Sequence, residues 1–84
     1  MPTVHRAHGL RFVIFTDDHE PAHIHAVGGG GEAKIDLGLA GQAPKLIWVR
    51  GLSNAEVRRA MAEVAKEGDR LLEAWTRIHG RIEP

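Results

Sequence analysis

Between positions 17 and 25 the chain reads Asp17-Asp18-His19-Glu20-Pro21-Ala22-His23-Ile24-His25, three imidazoles and three carboxylates within nine residues. His23 and His25 are two apart on what reads as a strand, so their side chains share one face while Ile24 and Ala26 take the other. His19, just ahead of Pro21, falls in a turn able to fold back beside that face. Neutral imidazoles so spaced suit a divalent metal of the zinc type, with a carboxylate or a third histidine completing the ligand set. Two histidines can equally serve as general base and general acid. With Lys34 as a nearby cation, such a pair can cleave an RNA phosphodiester through its 2′-hydroxyl. A third use is a partner-binding surface that responds to pH. Against all three stands the plainer reading, polar side chains that merely solvate an exposed strand.

The elements that must hold these residues follow from periodicity. The N-terminal half alternates with period two and is broken by turn residues. Residues 3–6 read as a short strand, 7–10 as a hairpin turn around Gly9, and 11–16 as a strong strand rich in aromatic and β-branched side chains. Pro21 interrupts before a strand over 23–27. Residues 28–31, four glycines, read as a mobile hairpin tip. They are not a phosphate cradle, since no Lys-Ser/Thr follows and no strand-to-helix context surrounds them. Residues 32–37 alternate, with Ala33, Ile35 and Leu37 on one face and Glu32, Lys34 and Asp36 on the other. Residues 38–44 read as a loop and 45–50 as a last strand. Short links between successive strands make an antiparallel meander the expectation.

The second half changes period. Ser53 and Glu56 form a capping box. Val57, Met61, Val64, Gly68, Leu71, Trp75 and Ile78 then follow at alternating spacings of four and three, an apolar stripe on a helix. Gly68 lies inside the stripe; it either lets the helix approach the sheet or breaks it, with Asp69 capping a second helix. Gly80 is a plausible terminator. The expected fold is α+β: a small antiparallel sheet of three to five strands, with one kinked helix or two helices packed on one face. The other face, carrying His23, His25 and Lys34, is expected to lie open or under a partner.

Bulk properties narrow the function. Eighty-four residues make a single domain, 1–84, with a thin core that favours association with itself or a partner. No cysteine is present, which excludes disulfides and thiolate metal sites. The N-terminus does not read as a signal peptide, no apolar run spans a membrane, and a cytoplasmic location is expected. Eleven basic and eleven acidic side chains give zero net charge, against nonspecific coating of nucleic acid. His5, His8 and His79 are isolated and read as surface residues. Trp75 belongs to the core by its place on the stripe. Trp48, alternating with Ile47 and Val49, points to the open face. The mixed helix charges read as a solvated surface.

The chain resembles the bacterial domain-of-unknown-function family 4160. The resemblance runs over nearly the whole chain: Met1-Pro2-Thr3-Val4, Gly9-Leu10-Arg11-Phe12, Asp18-His19-Glu20-Pro21-Ala22-His23-Ile24-His25, Ala33-Lys34-Ile35, Gly51-Leu52-Ser53 and Leu71-Leu72-Glu73-Ala74-Trp75. The His-Glu-Pro-x-His-x-His core followed by Ala-Lys is the specific part. The family commonly has a second proline where Ala22 stands, and the tetraglycine is longer than its pattern. Genes of this family often neighbour those of a second uncharacterised family, number 2442. The resemblance therefore implies the toxin of a type II toxin–antitoxin pair, with a small antitoxin of the 2442 type as partner and RNA or translation as target. Carried over position by position, it marks Arg11, Asp18, His19, His23, His25 and Lys34 as functional candidates and Trp75 as a packing residue. The expected chemistry is ribonuclease-like, with no cofactor assigned and a zinc-like divalent ion as an option. The alternative is a non-catalytic metal- or partner-binding module using the same cluster. A DNA-binding or neutralising role ranks lowest, for want of a helix-turn-helix pattern or basic charge.

Overall fold

The computed structural model describes residues 3–19, 21–38 and 42–79. Five strands form one antiparallel sheet in sequential order: β1 (Thr3–Ala7), β2 (Leu10–Val13), β3 (His23–Gly28), β4 (Gly31–Asp36) and β5 (Lys45–Arg50). Two helices follow, α1 (Asn54–Lys66) and α2 (Gly68–His79). This is the expected α+β meander with helices on one face. Directly paired residues share a face. Phe12, Ala26 and Ala33 thus line up with Ile24 and Ile35 on the helix side. Ala60, Val64, Leu71, Ala74 and Trp75 close the core from above. Ile24 and Ile35 are wholly buried, each contributing roughly 1.5–3 kcal/mol of hydrophobic stabilisation.

The helices break where the stripe meets Gly68. Glu67 is the C-cap of α1, and Leu71 N–H already donates to the Glu67 carbonyl at 2.9 Å. Gly68 has no left-handed φ and an added Cβ there meets nothing within 4 Å. Close approach to the sheet is therefore not its role, and Gly68 opens α2 rather than closing α1. Both halves of the Ser53 capping box are present, Glu56 N–H donating to Ser53 Oγ at 3.1 Å and Ser53 N–H to Glu56 Oε1 at 2.8 Å.

Two expectations about the sheet need correction. The second strand ends at Val13, because Phe15 and Asp18 tie a turn: Asp18 N–H donates to the Phe15 carbonyl and Phe15 N–H to Asp18 Oδ2, both at 3.1 Å. The tetraglycine is not a four-residue tip. Gly28 and Gly31 pair as strand residues, and only Gly29 and Gly30, at φ 54° and 85°, make the turn, the two positive values that a type I′ hairpin requires. A Cβ on Gly31 would lie 2.4 Å from the Gly51 backbone, so glycine here permits close chain approach. Glu20 and the expected terminator Gly80 lie outside the described residues.

Candidate functional site

Register places the cluster. On the sheet face away from the helices, His25 pairs with Val13 and Lys34, and His23 pairs with Asp36. Lys34 in turn pairs with Trp48 of β5. A bulge follows: Lys34 opposes Trp48 and Ile35 opposes Leu46, leaving Ile47 as the extra residue, an irregularity of the kind that re-aims a side chain beside a site.

Around the two histidines the face is covered by the chain itself, while toward β5 it stays exposed at Trp48. His23 is 4% and His25 7% exposed, because Phe15 and Asp18, just after β2, fold back over them. Phe15 sets its edge on His25, ring centroids 4.7 Å apart. The turn that ends β2 delivers Asp18, whose Oδ2 lies 3.2 Å from His23 Nε2 and 3.5 Å from His25 Nε2. The two imidazoles lie 5.2 Å apart, and Trp75 of α2 reaches His23 at 5.1 Å.

Hydrogen bonds fix the tautomers. His23 Nδ1 is 2.9 Å from the Pro21 carbonyl, which can only accept, so Nδ1 carries the proton. His25 Nδ1 donates to Glu32 Oε2 at 2.8 Å, and Glu32 in turn faces Arg50 at 3.4 Å. With Nδ1 of each ring engaged by an oxygen acceptor, Nε2 is the atom each ring turns toward Asp18. His25 Nε2 is buried and has no hydrogen-bond partner, a deficit that costs about 1–3 kcal/mol in a folded protein. One oxygen and two nitrogen donors from Asp18, His23 and His25 thus lie within 4.8 Å of one another.

A pocket of about 270 Å³ opens beside this trio, lined by Asp17, Asp18, His19, Pro21, His23, Lys34 and Ile47. Of the six functional candidates, Asp18, His23 and His25 come together at one point. Lys34 and His19 stand at the pocket wall, His19 exposed. Arg11 shares the face opposite Val27 but does not line the pocket. Sequence reasoning missed Glu32, Phe15 and Ile47. Alternation did put Glu32 on the polar face beside Lys34, which was signal enough for its orienting role. Nothing in the sequence announced the fold-back of Phe15.

Two of the isolated histidines, His5 and His79, are also corrected, whereas His8 lies on the surface as expected. His5 is half-buried on the helix side, bonded through Nε2 to Glu63 and through Nδ1 to the Arg70 guanidinium. His8, at φ 57°, approaches the same carboxylate at 3.3 Å. His79 stacks on Trp75 with centroids 3.9 Å apart. The Glu63 carboxyl is held below its ordinary range by the His5 hydrogen bond, with burial opposing the shift.

Fold and site together define a small α+β protein with a buried two-histidine, one-carboxylate centre at the wall of a pocket. Its sequence matches the model of the domain of unknown function DUF4160 over residues 9–76. The chain belongs to that family. No curated protein and no solved structure matches it. Among the described residues, no helix is long and apolar enough to cross a membrane.

Proposed function

We propose that the protein is the growth-inhibiting member of a toxin–antitoxin pair and cleaves RNA in the pocket beside Asp18, His23 and His25. The convergence of two bare imidazole nitrogens on one carboxylate, next to the cation Lys34, carries this reading. A basic nitrogen of the trio takes the proton of a 2′-hydroxyl. The freed oxygen attacks phosphorus, the bond to the 5′-oxygen breaks, and His19 at the rim returns a proton to the leaving oxygen. Lys34 stabilises the added negative charge on the phosphate. Arg11, farther along the same face, holds a neighbouring phosphate of the strand.

The partner half of the reading has its own support. β5 is an edge strand whose Leu46, Ile47, Trp48 and Val49 are all exposed, flanked by Lys45 and Arg50. Unpaired edges of this kind recruit strands. A second copy pairing antiparallel about the strand centre would set Lys45 against Arg50, like charges face to face. An antitoxin segment with acidic ends, from a protein of the 2442 type, fits better than a homodimer. Seated on β5, it would stand next to the pocket through Ile47.

Inducible expression in bacteria, alone and with the neighbouring small protein, tests the proposal. Growth arrest that is relieved by the partner and lost in the His23→Ala/His25→Ala double variant is expected. Full arrest by that variant would remove the trio from the activity, and no arrest by the parent chain would remove the toxin role.

A further inference from the structure

Three electron-pair donors aimed at one buried point repel one another unless a positive species lies between them. That species is either a proton or a metal ion, and the separations bear on which. A charge-assisted N–H···O bond spans about 2.7–2.9 Å, whereas Asp18 Oδ2 lies 3.2 and 3.5 Å from the two nitrogens. An ion bound at about 2.0–2.1 Å from each ligand in tetrahedral geometry would hold neighbouring ligand atoms about 3.4 Å apart. The two carboxylate–nitrogen separations fall on either side of that edge, and all three donor atoms lie within 4.8 Å of one another.

The surroundings agree. The Nδ1–H groups of both rings are already given to oxygen acceptors, a backbone carbonyl for His23 and the Glu32 carboxylate for His25. This outer ring of acceptors orients metal-binding histidines and raises their basicity. His25 Nε2, more than nine-tenths buried and without a hydrogen-bond partner, points into the gap. Asp18 is held from behind by the Phe15 amide. The other candidate group, His5 with Glu63 and Glu67, lacks this property: both nitrogens of His5 are already bonded, to Glu63 and Arg70.

We infer that Asp18, His23 Nε2 and His25 Nε2 form a three-ligand site for one divalent transition ion of the zinc type, its fourth position facing the pocket of His19 and Lys34. Three protein ligands with an open fourth position mark a working rather than a purely structural zinc site. The binding stands on the geometry alone; what the ion does rests on the proposed function. There, the ion would supply Lewis-acid activation of water, and the resulting base would take the proton-accepting role otherwise given to an imidazole nitrogen.

The test uses the full chain, stripped with chelator and titrated with zinc chloride by calorimetry, and with cobalt(II) for its visible spectrum. One zinc per chain is expected, with a melting temperature that rises on loading and a cobalt spectrum of low-symmetry, four-coordinate type. Affinity is expected to fall at least about 10-fold in Asp18→Asn, and about 100-fold or more in His23→Gln, losses in the range seen when metal shells are disrupted. His5→Gln is expected to bind as the parent does. A measurement on the unaltered chain covers any variant that fails to fold: zinc must shift the Nε2 resonances of His23 and His25 and leave that of His5 in place. Absence of zinc binding, or binding that moves His5 instead, overturns the inference. Zinc binding without growth arrest upholds the site and overturns the proposed function. Growth arrest that needs His23 and His25 in a chain that binds no zinc does the reverse.

Discussion

Two clusters of histidine and carboxylate stand on opposite faces of the same sheet, and they are wired in opposite senses. On the helix side, His5 donates through Nε2 to Glu63 and accepts through Nδ1 from Arg70, so each ring nitrogen has a partner. On the other side, His23 and His25 spend their Nδ1 protons on Pro21 and Glu32 and leave both Nε2 atoms facing Asp18. The first cluster is closed and serves packing. The second is open toward a pocket and has something left to bind. Residue types are nearly the same in both, and His23 and His25 are the more buried; under the proposed function, the direction of the hydrogen bonds separates structural histidines from working ones.

Substitutions should pull the two clusters apart. The largest effect is expected at the open cluster. Replacing His23 and His25 by alanine should lower growth arrest by at least about 100-fold in effective dose, the lower end of what an acid–base pair contributes. The same pair of changes should leave the Glu63 cluster folded, as judged by circular dichroism. At the closed cluster the order reverses. Glu63→Ala should cost about 2–3 kcal/mol in urea unfolding, because it leaves His5 unpaired beside a buried site. Zinc affinity and growth arrest per folded molecule should be unchanged.

The closed cluster should also carry a pH signature. The folded Glu63 carboxyl ionises below its ordinary value of 4.5. Its stabilising share is therefore fully present above that value and is lost as pH falls through the lower, folded one. Unfolding free energy followed from about pH 6 to about pH 3 should drop more steeply in the parent chain than in Glu63→Gln. Equal slopes would mean that the His5 bond does not hold the carboxylate. The smallest effect is expected far from both clusters. Ser53→Ala, which removes the hydroxyl half of the capping box, should cost about 1 kcal/mol and leave both clusters intact.

Much of the architecture could be read from the residues, because the physics that sets it is local. Alternation over residues 32–37 and the β-branched run over 45–50 made strands where strands form. The Ser53–Glu56 pair marked the helix start to the residue. The shared face of His23, His25 and Lys34 followed from strand period alone. What escaped was long-range or depended on a turn. Asp18 reaches the histidines only because the Phe15 turn reverses the chain over the sheet, so the chain itself covers histidines expected to lie open or under a partner. His5 looked isolated because its partners, Glu63 and Arg70, are 58 and 65 positions away. Helix charges read as a solvated face, and spacing along one helix cannot tell which charge a distant strand will claim.

The tautomers themselves are the most direct measurement. Two-bond proton–nitrogen correlation spectra of the ion-free chain at about pH 8, above the ordinary histidine range, report which nitrogen of each ring is protonated. Nδ1–H is expected at His23 and His25, and Nε2–H at His5. A proton on Nε2 of either His23 or His25 would fill the gap that defines the open cluster, and the distinction between the two faces would fall.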